Sequence, residues 1–417
     1  MLVKKIFTVF LVYTFILAGC ATKNTHVTSD SIGPKSSSEL KKQQKIKEQE
    51  ETIATEVRPK IDVIIPVFDP GLPEDPEDYK KNNIWPELRR SEANRFAWKL
   101  KEAMDETGKF GAVRVTPDSS ATGGIYVLGE IVESNGEEVE IDIIVVDISG
   151  NEWLDESYDH TVSEDFFTNP RNKEKDPYNP VFEKAAQDIA EELKDHDDKE
   201  LSDLHYLADI RFGAGFSEPA FGQFMSKRNG KTRLIAKPSE DDPMYSRIKS
   251  IRVRDQMFVD SMQSNYAAFS SQMDKSYRMW QEQSQIEVKA AKEAEKAKWA
   301  NAIGGTILVG LAVLSGVAGA RSDSYGGSTA GATGAIIGGM AGAAMINESF
   351  KTSEEAKMHR DAINELGQSL DMELSSQVVA FEKQTVELTG NAKEQYDQWR
   401  DFLQKIYEQE TTPDVQL

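Results

Sequence analysis

Cysteine is almost missing. The 417 residues contain one, Cys20, so the chain can build neither a disulfide framework nor a thiolate metal cluster. Histidine is scarce too: five residues (His26, His160, His196, His205, His359) are scattered through mostly polar sequence. No Ser/His/Asp order, no His-Glu-x-x-His and no glycine loop ending in Lys-Ser or Lys-Thr occurs, so the reading is of a protein that is not an enzyme, with no catalytic residues and no metal. Asp195-His196-Asp197-Asp198 has metal-ligand residue types, but a short acidic run after a helix reads as solvated loop. Basic residues number 49 against 70 acidic ones, for a net charge of −21. A phosphate backbone would be repelled, which argues against nucleic acid as a partner.

What is present falls into blocks. The chain is longer than one ordinary core of roughly 100 to 200 residues, and its apolar content is gathered into a few segments between long polar stretches. The first segment is an address: Lys4 and Lys5 precede Ile6–Gly19, a mostly apolar run of 14 residues. A bilayer span needs ~20, so this is the build of a secretory signal. The tetrad Leu17-Ala18-Gly19-Cys20 closely resembles the lipobox of bacterial lipoproteins. That resemblance implies cleavage after residue 19 and a covalent lipid on Cys20; no cofactor besides that lipid is expected. Ala21 stands where inner-membrane retention in enterobacterial relatives commonly uses Asp, which implies outer-membrane sorting, lipid-anchored, with the bulk of the chain in the periplasm. Residues 20–58 hold almost no large apolar groups and read as a lipidated flexible tether.

Residues 59–200 read as an α/β periplasmic domain. Ile61–Phe68 has strand composition, with Pro66 pushing it toward a sheet edge. Pro86 starts a helix with Ala93, Phe96, Leu100 and Met104 on one face, and Gly108 stops it. Short strands follow at Val113–Val115, Ile125–Val132 and Val139–Asp147, with Asn135-Gly136 as a tight turn, then Trp153–Tyr158 and a helix opening at Asn179-Pro180. The class is α+β: a small mixed sheet with helices on one face. This order, with Gly124–Ile131 and Val145–Gly150, resembles the anticodon-binding-like periplasmic domains of envelope proteins, such as the curli secretion lipoprotein, the TolB amino-terminal domain and the activators of peptidoglycan synthases. The resemblance implies a domain that binds envelope proteins or assembles into rings.

Residues 201–254 read as a packed connector, and beyond them helical spacing takes over. Phe258, Met262, Tyr266, Phe269, Met273, Tyr277 and Trp280 recur at intervals of 4, 4, 3, 4, 4 and 3. A second stripe includes Leu366, Leu370, Leu374, Phe381 and Trp399. These predict two stalk arms, 255–301 and 349–408, packed antiparallel and about 70 and 90 Å long at 1.5 Å per residue. Between them, 302–348 reads as a glycine-zipper membrane hairpin, with small residues that include Gly316, Gly327, Gly331, Gly334, Gly338, Gly339 and Gly342. It resembles the glycine-zipper segments of bacterial envelope proteins. Residues 409–417 read as a disordered tail. The partners expected are membrane lipid, other copies in a homo-oligomer, and envelope proteins. The function expected is an oligomeric scaffold or secretion accessory; the alternatives are an export pore formed by the hairpins, or a bridge across the envelope. Cys20→Ser is expected to leave an uncleaved, unacylated precursor; a mature, lipid-bearing mass for this variant would refute the lipobox reading.

Overall fold

The computed structural model describes residues 58–82, 84–303, 354–381 and 384–411. It has the α+β class expected, a five-stranded mixed sheet with several helices. A β-α-β unit comes first: Val63–Pro66 (β1), the short helix Glu77–Lys81 (α1), the helix Pro86–Thr107 (α2) and Val113–Thr116 (β2), which lies parallel to β1. Pro86 occupies the first turn of α2, where a missing N–H costs little, and Gly108 caps it at φ +63°. Ile125–Ser134 (β3) is parallel to β1 and continues as a meander into Glu138–Asp147 (β4) and Glu152–Thr161 (β5). The strand order is therefore β2-β1-β3-β4-β5. Asn179–Glu192 (α3) packs back on β4 and β5, and Val139, Ile141, Ile143 and Val145 of β4 are buried on that helix-covered side.

Pro66 does not place β1 at an edge; the strand lies between β2 and β3. Strand parity explains this. The amides of Val63 and Val67 donate toward β2, so Pro66 turns its donorless nitrogen toward β3, where pairing with β1 has ended after Ile64.

Asp198–Phe216 (α4) crosses the boundary expected near residue 200, and Glu218–Phe221 (α5) and the hairpin Met225–Arg228 (β6) with Lys231–Leu234 (β7) follow it. Then comes Pro243–Ile303 (α6), a helix of 61 residues. It begins twelve residues before the expected arm, and along Phe258–Trp280 its stripe packs into the folded unit. From Pro59 on, the described residues form one compact unit. Phe258, Met262, Phe269, Met273 and Trp280 are all buried within it.

The second arm is not one helix. It consists of Glu354–Leu366 (α7), a loop, the hairpin Gln377–Phe381 (β8) with Gln384–Leu388 (β9), and Ala392–Thr411 (α8), which runs into the expected tail. Gly367 breaks the helix because α7 ends directly against α2. A side chain there would collide with the Glu87 carbonyl, while Arg90 Nε donates to the Gly367 carbonyl at 2.6 Å. Beyond it, the β-branched Val378, Val379, Thr385 and Val386 favour extended backbone. Of the second stripe, Leu366 ends α7, Leu370 and Leu374 lie in the loop, Phe381 ends β8, and Trp399 is buried in α8, stacked on Phe258 with centroids 5.1 Å apart. Cys20, the tether and the zipper glycines from Gly316 to Gly342 lie outside the described residues, and among those described no helix is long and apolar enough to cross a membrane.

Gly367→Leu is expected to destabilise the fold by about 1–3 kcal/mol or more, as overpacking does when backbone must move. Urea unfolding measures it, and an unchanged midpoint would contradict the close approach of α7 to α2.

Candidate functional site

Two sets of side chains decide what the α/β unit presents: those that fasten α6 to it, and those left facing solvent. Gln263 of α6 fastens the outer edge of β2. Its amide oxygen accepts from Val115 N at 2.9 Å and its Nε2 donates to Val115 O at 2.8 Å, so one side chain stands in for a neighbouring strand. Beside it, Arg114 grips Asp260 with Nε and Nη2 at 2.6 and 3.1 Å.

Further along α6 the contact becomes a buried polar seam with α2. Arg95 Nη1 donates to Asp274 at 2.5 Å and to the Ser270 carbonyl at 2.9 Å; its Nη2 donates to Asp176 at 2.7 Å. Burial works against charge at both Arg95 and Asp176, yet each holds the other ionised: the arginine pKa ends up raised and the aspartate pKa lowered. One turn earlier, Glu92 is fully buried. Its Oε1 accepts from Ser134 Oγ at 2.5 Å and from Tyr277 OH at 2.7 Å, while its Oε2 accepts no hydrogen bond and lies 3.9 Å from Arg89 Nε. Desolvation pushes the Glu92 carboxyl from the usual 4.5 up to about 7, against the pull of Arg89 and the two hydroxyl donors. The seam ends at the β3–β4 turn, where Gly136 at φ +86° lies against α6. A β-carbon there would be 2.6 Å from Ser284 Cβ and 2.8 Å from the Gln281 carbonyl. Lys292 then closes on Glu137 and Glu138 at 2.8 and 2.7 Å.

The helices α2 and α3 cover one face of the sheet; the other face is covered at β1 and β2, whose residues are buried throughout, and lies open over β3, β4 and β5. Strands β3, β4 and β5 comprise thirty residues with ten acidic side chains and no Lys or Arg. On the open face the register sets Leu128 beside Ile144 and Asp155, then Glu130 beside Asp142 and Ser157, then Glu133 beside Glu140 and Asp159. Leu128 and Val132 are 38% and 42% exposed, so two large apolar side chains of β3 stand exposed on either side of Glu130. Near the β4–β5 turn, Trp153 stacks on His196 at 4.0 Å and donates to Asp147. His196 is thus a packing residue here, and Asp197 beside it caps α4 by accepting from Glu200 N at 2.8 Å.

Comparison with known protein families, curated proteins and solved structures returns no match. The surface therefore has to be read from its own chemistry. Of the residues singled out in the sequence, the described stripe residues lie in the core or in its supporting loop and strand, and none lies on the open face. The sequence carried an unread signal for that face, since no Lys or Arg occurs between Arg114 and Arg171.

Glu92 makes the seam sensitive to pH. Its folded pKa lies above its unfolded one, so its contribution is fully present below about pH 4.5 and is lost as pH rises through about 7. A rise of that size is worth about 3 kcal/mol across the window. Glu92→Gln is expected to flatten the stability profile over the same range by a comparable amount; urea unfolding at pH 5 and pH 8 reads this, and an unaltered slope would remove Glu92 as its source.

Proposed function

We propose that the chain is an outer-membrane-associated lipoprotein that acts as a non-enzymatic, oligomeric scaffold, an assembly or secretion-accessory component of the cell envelope. The observation that carries this reading is the lipobox tetrad ending at Cys20, followed by a polar tether that leads to a folded unit beginning at Pro59. Several acyl chains on one cysteine hold a protein to a bilayer, because each buried methylene contributes about 0.8 kcal/mol. The tether spans at most ~130 Å at ~3.4 Å per residue, which lets the unit reach partners well away from its anchor.

Each part has a role. Cys20 is the anchor, and the α/β unit is the contact body, supported by its resemblance in element order to protein-binding periplasmic domains. The uncharged runs 303–320 and 329–346 are the second membrane contact and the seat of oligomerisation, because small residues at every fourth position let helices approach closely in lipid.

The native chain is expected to fractionate with the outer membrane and to cross-link into oligomers. With Cys20 acylated, Ser324→Cys is the single free thiol and is expected to react with an impermeant reagent on intact cells. Protection until the outer membrane is opened would remove the crossing of that membrane from the proposal. A soluble, monomeric protein without fatty acid would overturn the whole of it.

A further inference from the structure

The two edges of the sheet are treated differently. At β2 the outer backbone is met by the Gln263 amide and flanked by the Arg114–Asp260 fork. At β5, by contrast, β4 lies on one side, and among the described residues no strand pairs with the other. This edge is long, ten residues from Glu152 to Thr161, and after a bulge at Trp153 its pairing with β4 is regular from Leu154 to Thr161, whereas sheets that shun further pairing keep edges short or guard them with bulges, lysine or proline. It has no lysine, arginine or proline. Its outward charges are the carboxylates of Glu152, Asp155, Glu156 and Asp159, all exposed, with Asp155 and Asp159 on the open face and Glu156 on the helix-covered side.

Charge selects the occupant of such an edge. Two copies of β5 paired antiparallel about Ser157 would set Asp155 against Asp159 twice, and like charges directly opposite one another oppose pairing. Nucleic acid is repelled for the same reason. A strand carrying lysine or arginine at alternate positions meets opposite charge at Asp155 and Asp159, and the acidic field of Glu130, Glu140 and Asp142 behind them draws it in over a longer range. We infer that the free edge of β5 accepts an extended cationic segment of a protein partner, which adds a sixth strand to the sheet through main-chain hydrogen bonds. Backbone pairing supplies the affinity and the acidic side chains select the partner's sign. This site lies in the folded unit and is independent of whether Cys20 carries lipid.

A ten-residue peptide of alternating lysine and valine, capped at both ends, is the probe for the full-length chain. The same peptide with glutamate for lysine is the charge control. Two further forms carry N-methyl groups on all the lysine amides or on all the valine amides, and so block one edge of the peptide or the other. The lysine peptide is expected to bind, more weakly as salt rises, and to slow amide exchange in Glu152–Thr161. One N-methylated form is expected to lose binding while the other keeps it, because only one edge of a strand faces β5. Asp155→Lys combined with Asp159→Lys is expected to weaken binding by about tenfold or more, as charge reversal at an interface does. Amide exchange on the unaltered chain gives an answer even where this variant folds poorly. The inference is overturned if the full-length chain does not bind the lysine peptide, if the glutamate peptide binds equally, if both N-methylated forms bind like the parent, or if protection falls elsewhere. Self-association of the chain through Glu152–Thr161 would overturn it as well, by making a second copy the occupant.

Discussion

Gln263 against β2 and Arg95 between Asp176 and Asp274 hold a 61-residue helix along the side of a small sheet domain, and the rest of the molecule is arranged around that attachment. A helix of this length spans about 90 Å, and its apolar stripe has to be covered by something. The α/β unit covers much of it, and α7 and α8 cover more: Ser276 meets His359 at 2.9 Å, and Arg400 reaches Asp255 at 3.2 Å. α7 is held between α6 and α2, and α8 packs on α6.

The polar contacts in the seam do what the apolar ones cannot. A stripe repeating every three or four residues packs almost as well after sliding by one turn, whereas a buried arginine between two aspartates has one position. Removing one partner of a buried pair costs about 3–5 kcal/mol, because a charge is left without compensation. The Gln263 clip adds a second registration point on a different element. The helix is therefore fixed both along its axis and about it, and the Gly136 turn fits against the backbone of Gln281 and Gln285 only in that setting.

The same arrangement divides the domain into a closed side and an open one. Closing β2 with a side chain uses up one edge of the sheet, and α2 and α3 use up one face. The part left open, over β3 to β5 and along the β5 edge, carries acidic residues and no Lys or Arg, in a chain whose net charge is −21. Acidity spread evenly over a protein keeps it soluble. Concentrated on one uncovered sheet surface, next to exposed Leu128 and Val132, it also gives that surface a sign to which partners respond.

Local chemistry by itself determined much of this protein. Pro86 and Gly108 mark the ends of α2, Asn135-Gly136 makes the β3–β4 turn, and the alternation from Val139 to Val145 foretells which side of β4 is buried, because caps, turns and strand periodicity depend on neighbours in the chain. The stripe from Phe258 to Trp280 likewise announced burial. What covers the stripe was decided only in three dimensions, since periodicity tells which side of a helix is hidden and says nothing of its partner. For that reason residues 367–391 kept a helical spacing that the α2 contact at Gly367 overrules. For the same reason Pro66 sits inside the sheet, and one edge of that sheet is sealed by a glutamine 148 positions away while the other stays open. The acidity of β3 to β5 was legible in the chain; the face and edge on which it lies free came from tertiary packing.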